Sequence, residues 1–286
     1  MIRNITHFMP SQSLKHSKSA RIAIVRKSKE HIKFMKLKIA HLYPDLLDLY
    51  GDRGNIQSLV KRLEWRDYQA EVLPIFADGK INFQEVDIVL LGGGTDYNQE
   101  LACHLLQEVK GEFKDYVESN GVVLALCGGY QMLGEYYYNN NKKIDGLGIL
   151  NMTTTWKPKR FIRNIILKSP LFKTPIVGFE NHSGRTHIGK HTPLGKVFFG
   201  VGNDGKSGHE GVIYKNLIGT YLHGPLLPKN PHLCDYLLEK ALYKKYKIDI
   251  PLDPLDDKME LLANKVIVDR YSNKKYVIKE TIKRYT

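Results

Sequence analysis

Apolar residues in this chain come in short, dense runs rather than long ones. Runs at 37–42, 70–75, 86–91, 122–126, 176–179 and 217–222 hold four to six residues each, many of them Val, Ile or Leu. That length and composition predict buried strands. Between the runs the period changes. Ile56, Leu59, Val60 and Leu63 share one face of a helix predicted over 56–65, and a longer amphipathic helix is predicted over 98–119. A helix over 231–246 would carry Cys234, Leu237, Leu238 and Leu242 on one face, and a last one over 252–268 begins near Pro251 and Pro254. The runs at 86–91 and 122–126 lack the polar alternation of a half-exposed strand. The whole pattern predicts an α/β fold: a doubly wound, mostly parallel, flavodoxin-like sheet with flanking helices.

In such a sheet, ligands meet the carboxyl ends of the strands. Two glycine-rich turns fall there: Gly92-Gly93-Gly94 after 86–91, and Cys127-Gly128-Gly129 after 122–126. A cysteine between a buried strand and a helix has the pattern of a nucleophile elbow. The helix N-terminus is expected to lower the thiol pKa. The same stretch also suits a buried structural cysteine. The triple glycine lacks either phosphate-loop spacing; it suits an oxyanion hole of bare N–H groups, or else a tight turn. The stretch 43–55, rich in Asp and Gly, is expected to be a loop with polar contacts. Of the eleven histidines, His223 ends an apolar run and is stopped by Gly224-Pro225, so it ranks first as a base. His182, in the polar stretch 181–187, ranks second. A zinc site from His182, His187 and His191 fits no common spacing, so no metal is expected.

Composition mostly excludes. Three widely spaced cysteines without C-x-x-C, and no run of membrane-spanning length, predict a cytoplasmic protein with free thiols and no transmembrane segment. Cys103 and Cys234 sit on apolar helix faces and read as core. The net charge of +13 is uneven: residues 1–34 hold eight basic residues against one acid. This leader lacks aromatic interleaving, so no nucleic-acid partner is expected and it reads as a disordered extension. Met35 directly precedes the first strand and is the expected authentic start. The expected organisation is a leader at 1–34, one domain at 35–270, and a basic tail at 271–286.

Several motifs together resemble the class I (triad-type) glutamine amidotransferases: L-C-G-G-Y-Q at 126–131, G-T-Y-L-H-G-P at 219–225 and L-G-G-G at 91–94. Within that class the chain resembles the cobyric-acid-synthase-like (CobB/CobQ-type) branch. More narrowly, Y-P-D-L-L-D-L-Y-G-D-R-G-N-I at 43–56, G-F-E-N-H-S-G-R-T at 178–186 and G-T-Y-L-H-G-P-L-L-P-K-N-P at 219–231 resemble the GatD family, glutaminase subunits of lipid II isoglutaminyl synthases. The resemblance spans about residues 36–265. It implies that Cys127 attacks the side-chain amide of L-glutamine, that His223 carries the proton, and that N–H groups of Gly93, Gly94 and Gly128 hold the oxyanion. It also implies that Arg160, with Arg163 beside it, binds the substrate and that Gln131 lines the pocket. Many relatives carry a third carboxylate two residues after the histidine, where this chain has Pro225. The family's Mur-ligase-like partner, MurT, is expected to supply it in a heterodimer. ATP and Mg are expected on that ligase, none in this chain, and lipid II is reached through the partner. Two other readings stand beside this one: an ammonia supplier for a corrinoid-type synthetase, and a non-catalytic scaffold on the same fold.

Overall fold

The predicted strands pair edge to edge, and the order in which they do so fixes where the loops converge. The computed structural model describes residues 35–49, 51–247 and 251–272; the basic leader and the residues from 273 onward lie outside these. The first sheet contains β1 (Lys36–Leu42), β2 (Gln69–Ile75), β3 (Ile88–Leu91), β4 (Val122–Leu126), β11 (Val212–Tyr214) and β12 (Leu217–Thr220). Its order is β2-β1-β3-β4-β12-β11, parallel throughout except for β11. This is the doubly wound, flavodoxin-like order, and it brings the carboxyl ends of β1, β3, β4 and β12 to one edge.

Every residue of β3 and β4 is buried, because helices cover both faces. On one face Ile39, Ile88, Leu90 and Leu124 pack with Leu59 and Leu63 of α1 (Arg53–Glu64) and with Leu237 and Leu238 of α5 (Pro231–Tyr246). On the other, Ala40, Val89, Leu91 and Val123 pack with Ala102 and Leu106 of α2 (Asp96–Glu108) and Phe113 of α3 (Lys110–Glu118). Each such aliphatic side chain contributes about 1.5–3 kcal/mol when fully buried, so the two faces hold the sheet rigid. The single helix expected over 98–119 is in fact two: Val109, at φ −112° and ψ 15°, ends α2 and begins α3. Cys103 and Cys234 are both buried free thiols in these layers.

The last helix also differs from its expected span. It is α6 (Lys258–Ser272), and 251–257 forms no helix. A buried ion network takes that segment instead. Arg62 bonds Asp235 at 2.6 Å and Asp257 at 2.5 Å, while Arg66 bonds Asp235 at 2.7 Å and the Asp253 carbonyl at 2.5 Å. Two prolines and these side-chain and carbonyl contacts leave no room for helical backbone.

Most of a second sheet was not legible in the apolar pattern, which marked only its run at 176–179. Its strands β5 (Tyr136–Asn139), β6 (Lys142–Asp145), β7 (Thr153–Lys168), β9 (Gly195–Phe199) and β10 (His209–Glu210) follow the order β10-β9-β7-β5-β6. The long β8 (Ile176–His187) pairs antiparallel with β7 and with the short β13 (Leu222–His223). The stretch 181–187, expected as a polar loop, is therefore strand. His182, Arg185 and Thr186 are buried there among other polar groups, so hydrophobic alternation gives no signal. Between β12 and β13 only Tyr221 intervenes, so the chain passes from the first sheet to the second in one residue.

Candidate active site

After the buried β4, Cys127 takes φ 49° and ψ −105°, a strained conformation for a residue with a side chain. The turn is pinned on both sides. Cys127 N–H donates to Thr220 O at 2.8 Å and Gly129 N–H donates to Gly92 O at 3.0 Å. A Cβ at Gly129 would stand 2.5 Å from Leu91 O, so only glycine lets the turn close against β3. The helix that follows, α4 (Gly128–Met132), is a single short turn. This is the strand–turn–helix context that a nucleophile elbow requires.

His223 reaches the same place from β13. A Cβ built on Gly93 would lie 3.2 Å from Cys127 Cβ and 3.5 Å from His223 Cε1, so thiol and imidazole flank one point above the triple glycine. His223 is buried, and Cys127 is partly exposed. Their charge states run against the expectation that the helix end would favour a thiolate. Burial, and then the neighbouring Asp52 charge, push the Cys127 thiol up to about 12, although Arg160 and the Gly128 N–H pull the other way. Burial, then His182 and Arg160, push His223 down to about 3. A single helical turn has too few aligned peptides to offset desolvation. The resting pair is a neutral thiol and a neutral imidazole.

A cleft beside the sulfur is lined by Gly94, Gln99, Cys127, Gln131, Trp156 and Arg160, among others. Two larger surface depressions, of about 900 and 790 Å³, lie elsewhere and contain neither Cys127 nor His223. Arg160 sits where the β7–β8 register shifts between Trp156 and Phe161. Across that irregularity its guanidinium donates to Asn181 Oδ1 and Asn181 O at 3.0 Å each and to Ser183 Oγ at 3.3 Å. Its neighbour Arg163 points elsewhere, 3.9 Å from the buried Glu180.

Gln131 lines the cleft, but both ends of its amide are engaged. Its Oε1 accepts from Gln99 Nε2 at 2.9 Å, and its Nε2 donates to Tyr221 OH at 3.0 Å. Tyr221 OH also shares a 2.6 Å hydrogen bond with Thr186 Oγ1. His182, the second-ranked base, stacks on the Tyr221 ring at 3.6 Å between centroids and holds Gly184 O through Nδ1 at 2.9 Å. It walls the cleft. His191 stands apart, accepting from Asn151 N–H, and among the described residues no group of three His, Cys, Asp or Glu is placed to hold a metal.

The expected oxyanion donors fare differently. The Gly93 N–H donates to Asp52 Oδ2 at 2.9 Å, so it is spent inside the fold and is not aimed at the thiol. Gly94 lines the cleft, and the Gly128 N–H faces the Cys127 sulfur. Asp52, Gln99 and Tyr221 were not singled out from sequence. For Asp52 a signal existed, since it stands in the Asp- and Gly-rich stretch 43–55; Gln99 and Tyr221 matter through tertiary contacts that no local pattern carries.

A thiol elbow at the carboxyl edge of a flavodoxin-order sheet, with a histidine just beyond the strand next to it, is the arrangement of class I glutamine amidotransferases. Residues 38–231 match the CobB/CobQ-like glutamine amidotransferase domain family. The GatD subunit of lipid II isoglutaminyl synthase (glutamine-hydrolyzing) from Staphylococcus aureus strain N315 is 44% identical over 84% of this chain and 98% of its own length. Its Streptococcus pneumoniae strain R6 counterpart is 38% identical over 84% of this chain and 92% of its own. Cobyric acid synthase of Clostridium acetobutylicum is 27% identical over 64% of this chain but only 38% of that protein. The chain belongs to the CobB/CobQ-like glutamine amidotransferase family and, within it, to the GatD group.

Proposed function

We propose that this chain is the glutaminase subunit of a lipid II isoglutaminyl synthase. The observation that carries the reading is the convergence of Cys127 and His223 on Gly93, with Arg160 lining the same cleft. His223 takes the thiol proton as Cys127 Sγ attacks the side-chain amide carbon of glutamine. The tetrahedral oxyanion is held by the N–H groups of Gly94 and Gly128. His223 then gives the proton to the departing nitrogen, ammonia leaves, and water hydrolyses the γ-glutamyl thioester to glutamate. Arg160, braced by Asn181 and Ser183, holds the substrate carboxylate through a guanidinium whose geometry matches it.

The neutral resting pair calls for something that favours the imidazolium. Burial opposes the imidazolium first, and His182 and Arg160 add to it. Pro225 occupies the position at which many relatives carry the orienting carboxylate. A carboxylate from a Mur-ligase-like partner, MurT, would raise the imidazole pKa and switch the subunit on within the heterodimer. ATP and Mg belong to that ligase, which activates the D-glutamate α-carboxyl of lipid II for amidation to D-isoglutamine. Coverage favours this acceptor over a corrinoid: the chain spans almost all of the GatD proteins and little more than a third of a cobyric acid synthase.

The test is mass-spectrometric mapping after 6-diazo-5-oxo-L-norleucine treatment, paired with glutamine-dependent lipid II amidation by the chain co-purified with its ligase. Label on Cys127, and loss of both label and amidation in Cys127→Ser, is the expected result. Amidation that persists in Cys127→Ser overturns the reading.

A further inference from the structure

Asp52 is fully buried, yet it holds neither a cation nor the helix it precedes. It occupies the N-cap position of α1, where an aspartate ordinarily accepts N–H groups of the first turn, but its side chain makes no cap hydrogen bond. Its carboxylate is turned toward the sheet edge and accepts the Gly93 N–H through Oδ2 at 2.9 Å, while Oδ1 is buried without a hydrogen-bond partner. The same loop grips the other side of that residue: Leu49 N–H donates to Gly93 O at 3.1 Å. Gly93 is clamped at both polar groups. In a trans peptide the C=O and the following N–H point in opposite directions. Fixing Gly93 O toward Leu49 therefore turns the Gly94 N–H away from the loop, and Gly94 lines the cleft that holds Cys127. The loop lies hard against these glycines, since a Cβ at Gly94 would meet Leu46 O at 2.6 Å.

We propose that Asp52 is a positioning residue for the glutaminase reaction: together with Leu49 it clamps Gly93, so that the next N–H, that of Gly94, is held toward the oxyanion. From the same buried position its carboxylate acts on the Cys127 thiol. The inference rests on the glutaminase reading above. Asp52 is the foremost charge acting against a thiolate at Cys127, with Glu210 adding to it and Arg160 opposing it. The groups bearing on Asp52 itself are the Gly93 N–H and the Asp48 carboxylate. Asp48 is in turn ion-paired to Arg53 at 2.6 Å. Burial lifts Asp52 to about 6, so it is charged in the mildly alkaline range where thiols are titrated.

Two substitutions separate the two roles. Asp52→Asn keeps an oxygen to accept the Gly93 N–H and removes the charge; Asp52→Ala removes both. The full chain is alkylated with iodoacetamide from pH 6 to pH 11, with modification of the Cys127 peptide quantified by mass spectrometry and the midpoint extrapolated from the rise in rate with pH below it. Glutamine hydrolysis is measured on the complex with its ligase. In Asp52→Asn the alkylation midpoint is expected to fall by about one pH unit or more. In Asp52→Ala, kcat is expected to drop about 100-fold with little change in KM, the size of effect seen when one oxyanion donor is lost. A purely structural aspartate would lower thermal stability and leave the alkylation midpoint where it was. An unmoved midpoint in Asp52→Asn overturns the electrostatic role, and kcat within about threefold of wild type in Asp52→Ala overturns the clamp. A wild-type complex that fails to hydrolyse glutamine sinks the glutaminase reading itself, whereas an active wild type with unchanged variants sinks only this inference.

Discussion

A methyl group at Gly93 would be a wedge between the Cys127 thiol and the His223 imidazole. Gly93 does not use the left-handed backbone region, so alanine is tolerated by the chain's own conformation. Its Cβ would sit 3.2 Å from Cys127 Cβ, 3.5 Å from His223 Cε1 and 3.7 Å from Leu126 O. Only the first contact is tight, and a shift of a few tenths of an ångström relieves it, so Gly93→Ala should cost about 1 kcal/mol of stability. The same shift moves sulfur away from imidazole; a misplacement of about 1 Å can cost about 100-fold in rate, so one of a few tenths should cost up to about 10-fold, roughly 1.4 kcal/mol of activation free energy. Gly92→Ala is the contrasting control. There the Cβ would meet Leu47 O at 2.1 Å and Asp52 Oδ2 at 2.7 Å, against backbone that has nowhere to go. That variant should lose about 3 kcal/mol of stability or fail to accumulate. Urea unfolding and glutaminase kinetics on the ligase complex read out both variants. A Gly93→Ala complex with wild-type kcat would refute the placement of Cys127 and His223 around this point.

Two further outcomes follow from the same geometry. Arg160→Ala should raise the glutamine KM by about 10- to 100-fold, with Arg160→Lys recovering only part, because a single ammonium cannot replace the planar fork braced by Asn181 and Ser183; unchanged KM in steady-state assays would remove Arg160 from substrate binding. His232, packed edge-on against Phe172 at 4.9 Å, is pushed by burial down to about 4. Its folded pKa lies below the unfolded value of about 6.5, so the stability it permits is complete above that pH and is lost as pH falls toward 4. The stability advantage of wild type over His232→Gln should therefore shrink by up to about 3 kcal/mol between pH 7 and pH 4 in urea titrations, and parallel curves would refute the assignment.

Much of the first sheet could be read from the chain. The runs that became β3 and β4 are apolar because helices cover both faces, and burial of that kind is written into composition. The Pro231–Tyr246 helix was legible for the same reason, its apolar face being continuous. Most of the second sheet was not, because β7 carries Lys157, Lys159, Arg160 and Arg163 in or near its register shift, and beyond Phe179 β8 buries polar rather than apolar groups. Cys127 and His223 stand out in the sequence through the glycines and the abrupt strand ends beside them, and the structure brings the two to one point. Asp52 reads locally as a helix cap, and only the approach of Gly93 from a distant strand shows what its carboxylate holds. The direction of the Cys127 shift was misread because a helix end is visible in sequence, whereas desolvation and a neighbouring carboxylate are not.

Sulfur and imidazole are anchored in different layers of the molecule. Cys127 hangs from β4 of the first sheet, His223 from β13 paired to β8 of the second, and the crossing between them is the single residue Tyr221. Glu210 staples that crossing by accepting from both Thr220 Oγ1 and Tyr221 N–H at 2.7 Å. The gap between sulfur and imidazole thus behaves like a caliper with one jaw on each sheet. A substitution that shifts the β7–β8 hairpin is therefore expected to change the reading of that caliper while both jaws keep their side chains.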